Sequence, residues 1–191
     1  MKKTNSSSAL ARKVALIGIL TALATALSFI KIPVVSTATI TLVLPVVVIG
    51  SIICGPVVGA WLMVLPTIAS LSEATLFMTY SPVGTLVTLF LKGILAGFMA
   101  GLVHKLLCKK WPRGAVVCAA IVAPVVNSGV FVLGCYIFLW DVLVTLAVEA
   151  GVGMGMLLFG LAGMNFILEL ILNLVHCPTI MRIIKIATKN K

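Results

Sequence analysis

Six apolar segments, separated by short polar connections, run along the chain. A helix needs roughly 20 residues to cross a bilayer, and the second and third segments are short for that purpose. They are separated only by Gly55-Pro56, so they form either two tilted short helices or a bent hairpin. The predicted segments are Ala11–Phe29, Ile40–Cys54, Val57–Leu71, Pro82–Leu106, Ala115–Leu139 and Gly153–Pro178. The pattern predicts an all-α integral membrane protein with six transmembrane helices in one bundle.

Composition agrees with a membrane protein, because 62% of the residues are hydrophobic and only 9% are charged. We expect a single transmembrane domain over residues 1–191, with a polar N-terminus at 1–10, the six-helix bundle at 11–184 and a basic tail at 185–191. The first segment has features of a secretory signal. Its apolar run from Val14 to Ile30 is long for a signal core, so we expect an uncleaved helix.

Charge predicts the orientation of the bundle. Twelve of the fourteen basic residues lie before or at the start of segment one, from the end of segment four to the start of segment five, or after segment six. Glu73, Asp141 and Glu149 lie on the other side. Because cytoplasmic loops carry the excess of lysine and arginine, both termini are predicted to be cytoplasmic. Basic loops beside anionic lipid account for the net charge of +10, so we expect membrane lipid and not nucleic acid as a partner.

Lys92 is a lone cation inside the otherwise uncharged stretch Gly84–Val103. An ammonium group near the centre of a membrane helix costs about 2.5–3.5 kcal/mol, so it should face an interior partner or a cavity. Two interpretations stay open. Lys92 either forms a structural ion pair or meets an anionic group of a ligand.

Segment six carries one polar stripe in an otherwise apolar helix. Its members, at spacings of four, four and three, are Asn165, Glu169, Asn173 and His176. Asn127 in segment five lies near the same depth, so we expect Lys92, Asn127, Asn165 and Glu169 to converge in the bundle. The cluster is either a Lys92–Glu169 pair whose remaining hydrogen bonds the amides satisfy, or a polar ligand site.

Small residues form stripes on two segments. Segment one carries Ala11, Ala15, Gly18, Ala22 and Ala26, and segment four carries Gly93, Gly97 and Gly101. Such stripes let helix backbones approach closely, which is how membrane helices associate. In segment four the pattern favours packing inside this chain. In segment one, internal packing and docking of another membrane protein are equally compatible with the pattern.

Several kinds of chemistry have no motif in this chain. It contains no Walker A, HExxH or GxSxG motif, so we expect neither ATP hydrolysis by this chain nor an enzyme of another kind. Its five cysteines form no CxxC pair, so we expect neither a metal nor a cofactor. The polar cluster leaves three functions open, namely ligand binding, a structural role in a non-binding assembly subunit, and transport by a stand-alone carrier.

The order of several stretches resembles the S-components of energy-coupling factor (ECF) vitamin transporters, in particular the riboflavin- and pantothenate-type group. The resemblance covers roughly Ala11 to Ile184. The stretches that carry it are ITLVLPVVVIG at 40–50, GPVVGA at 55–60, SPVGT at 81–85, KGILAG at 92–97, APVVNSGVFVLG at 123–134 and NFILE at 165–169.

This resemblance implies a substrate-binding subunit of the bacterial plasma membrane. Such a subunit captures a vitamin or a related precursor outside and docks on an ECF module of one transmembrane scaffold and two ATPases. By position, the resemblance implies a docking face at Gly18, Ala22 and Ala26. It also implies the ligand-binding residues Thr37, Thr39, Tyr80, Ser81, Thr85, Lys92 and Asn127.

Overall fold

The computed structural model describes residues 3–30, 32–35, 38–40, 42–72 and 74–189. Within these ranges the fold is helical apart from one short antiparallel hairpin. The elements are α1 (Lys3–Phe29), β1 (Ile32–Val35), β2 (Ala38–Ile40), α2 (Val43–Cys54), α3 (Pro56–Leu62), α4 (Val64–Ser70), α5 (Thr75–Tyr80), α6 (Pro82–Leu107), α7 (Pro112–Phe138), α8 (Trp140–Ala150), α9 (Met154–Leu158), a π-helical turn (Phe159–Gly163) and α10 (Met164–Lys189).

Four helical stretches of the described chain are long and apolar enough to cross a membrane. They are Leu10–Phe29, Pro82–Leu107, Pro112–Phe138 and Met154–Ile184. The fourth stretch runs from α9 through the π-helical turn into α10 without a break. Helix α1 already begins at Lys3, and α10 continues past the predicted end at Pro178. Both predicted tails are therefore partly helical, because extending an existing helix is easier than starting one.

The two short predicted segments form a helical hairpin. Gly55 joins α2 to α3 with a φ of 106°, a conformation that residues with a Cβ rarely adopt. The two helices face each other, since a Cβ on Gly50 would overlap Leu62 and one on Gly59 would overlap Ser51. A break at Met63 then separates α3 from α4, so the predicted third segment is two helices.

Two helices occur where the sequence predicts only connections. Helix α5 precedes α6, and α8 lies between α7 and α9. With 6 and 11 residues, both are too short to be recognised as membrane spans. Gly151 ends α8 in the left-handed conformation, with a φ of 63°, so the glycine-rich connection predicted there begins as a helix cap.

The hydrophobic core has two parts. We call the end of the bundle where α6 turns into α7, with Lys105, Lys109 and Lys110, the basic end, and the other the acidic end, with Asp141 and Glu149. The large cluster, toward the basic end, includes Leu20, Ala24, Val47, Leu62, Ala100, Val116, Ala119, Ala123 and Ile180. The small cluster, toward the acidic end, is Cys135, Leu139, Val142 and Leu143, with Phe77, Phe131 and Leu161 packed against it.

Candidate functional site

A polar layer separates the two apolar clusters. On α7, Asn127 lies one turn from Ala123 of the large cluster and one turn from Phe131 beside the small cluster. Glu169 of α10 lies about two turns after Leu161 of the π-helical turn, which packs beside the small cluster, and three turns before Ile180 of the large cluster. The structure thus brings polar side chains of neighbouring helices together between two apolar clusters.

Asn127 and Glu169 form the central contact of this layer. The Asn127 Nδ2 donates to the Glu169 carboxylate, at 3.1 Å from Oε2 and 3.4 Å from Oε1. Asn127 is only 9% exposed, and its Oδ1 has no hydrogen-bond partner among the residues that the structure describes. A buried carbonyl oxygen without a partner costs about 1–3 kcal/mol. This oxygen is therefore positioned to accept a hydrogen bond from a ligand or a bound water.

Lys92 joins the layer from α6. Its Nζ lies 4.7 Å from the centroid of the Phe131 ring, within the range of a cation–π interaction. Phe131 in turn meets Phe77 edge to face, with ring centroids 6.5 Å apart. Lys92 also interacts electrostatically with the Glu169 carboxylate. The aromatic partner could not be read from the sequence, where only Glu169 stood out as a partner for Lys92.

Asn165 lies one turn from Glu169, next to the π-helical turn. Its Nδ2 donates a long hydrogen bond of 3.5 Å to the Leu161 carbonyl inside that turn. A π-helical turn widens a helix and shifts its carbonyls out of the usual pattern. Part of the role of Asn165 is therefore to satisfy the local backbone.

The predicted binding residues near the acidic end lie in different settings. Thr37 lies outside the described residues, and the backbone of Thr39 pairs with that of Pro33 in the hairpin. Tyr80 is exposed at the end of α5. Thr85 is buried, and its Oγ1 donates to the Ser81 carbonyl at 2.7 Å. Thr85 lies on the same face of α6 as Lys92, two turns away from it.

Thr88 is a buried residue that the sequence interpretation missed. It lies one turn from Lys92 on α6 and packs against Gly134, where a Cβ would overlap it. Its Oγ1 has no hydrogen-bond partner within the described part of the chain. The spacing of three and four between Thr85, Thr88 and Lys92 is the signal that could have identified it.

An apolar groove lies beside the polar layer, between α7 and the helix formed by α9, the π-helical turn and α10. Its volume is about 450 Å³. It is lined by Val125, Ser128, Gly129, Val132, Leu158, Phe159, Ala162, Gly163 and Phe166. Ser128 adjoins Asn127 in sequence, so the groove and the amide lie on neighbouring parts of α7.

The two small-residue stripes lie in opposite environments. In α6, a Cβ on Gly97 would overlap the backbone of Gly59, and one on Gly101 would meet Pro56. This stripe therefore packs inside the chain, as its pattern favoured. In α1, Gly18, Ala22 and Ala26 are all exposed, as are the other members of that stripe. The buried face of α1 is a different one, with Leu20, Ala24 and Ser28.

Asn173 allows a test of whether buried water lies beside α10, one turn from Glu169 toward the basic end. Its side chain is fully buried, and neither Nδ2 nor Oδ1 has a partner among the described residues. If the site is dry, Asn173→Leu removes two unsatisfied groups and keeps the shape, so we expect thermal unfolding in detergent to show a gain of about 1 kcal/mol. A loss of stability would contradict this and indicate that a bound water satisfies the amide.

One of three comparisons with known proteins identifies a family. The family described as "ECF transporter, substrate-specific component" matches residues 12–181 of the chain. Neither the curated proteins nor the solved structures provide a match. Members of the matched family are substrate-binding transport subunits and not enzymes, and the long apolar helices indicate a multi-pass membrane protein. Because the match covers nearly the whole chain, this protein belongs to the family of substrate-specific components of ECF transporters.

Proposed function

We propose that this chain captures a vitamin or related small molecule outside a bacterial cell and delivers it by docking on an ATP-driven ECF module. The family membership supports the role of a substrate-specific subunit. The location of the ligand site, the docking face and the orientation in the membrane go beyond the family membership and are proposed here. Six spans, four long and two short, with the basic end and both termini in the cytoplasm, are consistent with the charge distribution.

The unpartnered Oδ1 of Asn127 is the observation that carries the proposed site. Asn127 is held by its Nδ2 bond to Glu169, so its carbonyl oxygen has a fixed position and is available as an acceptor. Lys92 and the Phe131 ring border the same region from the side of the acidic end. An amide, a carboxylate, an ammonium group and an aromatic face supply a few orienting polar groups within an apolar setting, which is typical of small-molecule sites.

The loops toward the acidic end complete the proposed site. On the family resemblance, the remaining candidates near the acidic end are Thr37, Thr39, Tyr80, Ser81 and Thr85. Lys92 and Asn127 lie farther from the acidic end. Within the riboflavin- and pantothenate-type group, a compound of the pantothenate type suits these residues better, because it carries a carboxylate, whereas riboflavin is uncharged and would need more aromatic groups for stacking. We propose that Lys92 contributes to the recognition of an anionic part of the ligand while Glu169 keeps Asn127 in place.

The docking proposal rests on the exposed stripe of α1. Gly18, Ala22 and Ala26 present a smooth face that no part of the described chain covers. In a bilayer, helices associate through close van der Waals contact, for which such faces are suited. The transmembrane scaffold of the ECF module is the partner that we propose for this face, and ATP hydrolysis then belongs to the partner ATPases.

Mass spectrometry of small molecules that co-purify with the detergent-solubilised chain tests the site. We expect one vitamin-like compound in the unmodified protein and its loss in Asn127→Leu. The variant should weaken the binding of that compound about 5- to 150-fold, because it leaves a buried donor of the ligand without its acceptor, which costs roughly 1–3 kcal/mol.

Asn173→Leu is the matched control, since it makes the same replacement at another buried asparagine of the bundle and should retain the compound. An unmodified protein without any compound, which no vitamin in a panel stabilises, would contradict the proposed function. Retention of the compound by Asn127→Leu would contradict only the proposed site.

A further inference from the structure

Helix α8, between α7 and α9, is apolar on two faces. One face is buried in the small cluster through Val142 and Leu143, with Ala147 beside them. Another face carries Trp140, Val144 and Val148, which are 44%, 40% and 77% exposed. These three residues are spaced by four, so they form one line along the helix. A helix that faced water on this side would carry polar residues there.

The charged groups of α8 lie at its ends and away from this line. Asp141 is in the first turn and Glu149 in the last, and both are exposed. The helix contains no lysine or arginine. No basic residue of α8 therefore lies beside the exposed apolar line, so this surface does not require an anionic partner.

The exposed line of α8 continues the exposed surface of α7. Tyr136 of α7 stacks on Trp140, with ring centroids 5.3 Å apart and an angle of 25° between the ring planes. Leu133 and Ile137, on the preceding turn and beside Tyr136, are also exposed. An apolar surface thus runs without a break from the membrane-spanning helix into α8.

The length of α7 sets the depth at which α8 begins. Its 27 residues extend about 40 Å at 1.5 Å per residue, which exceeds the roughly 30 Å of the hydrocarbon layer. The end of α7 at Phe138 therefore reaches the boundary between hydrocarbon and headgroups. Tryptophan and tyrosine are enriched at this boundary, because their rings are apolar and their N–H and O–H groups are polar.

We infer that α8 is an interfacial helix that lies along the leaflet at the acidic end, with Trp140, Val144 and Val148 in contact with lipid. The partner of this surface is the boundary of headgroups and acyl chains, and zwitterionic lipid is sufficient because α8 has no basic residue. The opposite face of α8 covers the small cluster above the polar layer. The part of the chain that closes the candidate site at the acidic end is thereby in contact with the bilayer.

Tryptophan fluorescence in vesicles of phosphatidylcholine tests the inference. Trp61→Phe and Trp111→Phe leave Trp140 as the one tryptophan of the full-length chain. We expect bromine atoms placed near the headgroup end of the acyl chains to quench Trp140 more than bromines near the methyl end. Aqueous iodide should quench it less than either brominated lipid.

Two results would overturn the inference. Strong iodide quenching with no effect of brominated lipid would place Trp140 in water, and resistance to both quenchers would show that a protein, such as a second copy of this chain, covers it. If the double variant does not fold, the quenching of Trp140 is obtained by subtracting the fluorescence of Trp140→Phe from that of the unmodified chain. Val148→Asp should reduce the quenching by lipid while the chain remains folded.

Discussion

In the Ala22→Leu variant, we expect uptake of the substrate to fall to the background of cells without the chain, while the isolated protein binds its ligand as before. Ala22 lies on the exposed stripe of α1, away from the polar layer. A leucine there would hold a docked helix away, and close backbone contact is the main attraction between helices in a bilayer. Uptake of labelled substrate by cells and binding to the purified chain are the two measurements.

Ala26→Leu should behave in the same way, since it lies on the same stripe. Leu23→Ala is the matched control, because Leu23 is exposed on α1 but faces away from the stripe by about 100°. It should keep both activities. Unchanged uptake in the stripe variants would contradict a docking face on α1. A loss of ligand binding equal to the loss of uptake would show that the stripe supports the ligand site instead.

The Gly97→Ala variant should be strongly destabilised. A Cβ at this position would overlap the backbone of Gly59, and backbone atoms of two packed helices cannot move aside as a flexible side chain can. We expect a loss of about 3 kcal/mol, at the upper end of the usual effect of overpacking. For a chain of this size, that corresponds to a fall of about 10 °C in the midpoint of thermal unfolding in detergent.

Gly160→Ala is the control for this prediction. Gly160 is also helical, but a Cβ there has no neighbour within 4 Å, so we expect an unchanged or slightly higher midpoint. Equal midpoints for the two alanine variants would mean that α3 and α6 are not in backbone contact in the folded protein.

The sequence predicts the long elements well and the connections poorly. The spans at 82–107 and 112–138 agree with the predicted segments within a few residues, because a continuous apolar run and its Pro or charged flanks are local signals. Helix α8 was missed, since its 11 residues are too few for a span and its second apolar face resembles a loop with scattered hydrophobic residues. Finding it required knowledge of what Leu143 packs against.

The candidate site was predictable in its composition and not in its contacts. The spacing of the polar residues placed Asn127 and Glu169 near one depth, but the cation–π contact of Lys92 with Phe131 depends on the rotation of α6 against α7. The two small-residue stripes make the same point. Ala22 and Gly97 belong to similar patterns, yet one is exposed and the other is pressed against a backbone, and only the packing of the helices distinguishes them.

The division of the core has a consequence for how a ligand could enter. The buried residues of the small cluster come from the continuous stretch Cys135–Leu143, whereas the large cluster joins α1, α2, α3, α6, α7 and α10. Units of a protein with fewer long-range contacts open more often than the rest. We therefore expect the small cluster to open more often than the large cluster, so that a ligand reaches the proposed site from the acidic end while the basic end stays closed.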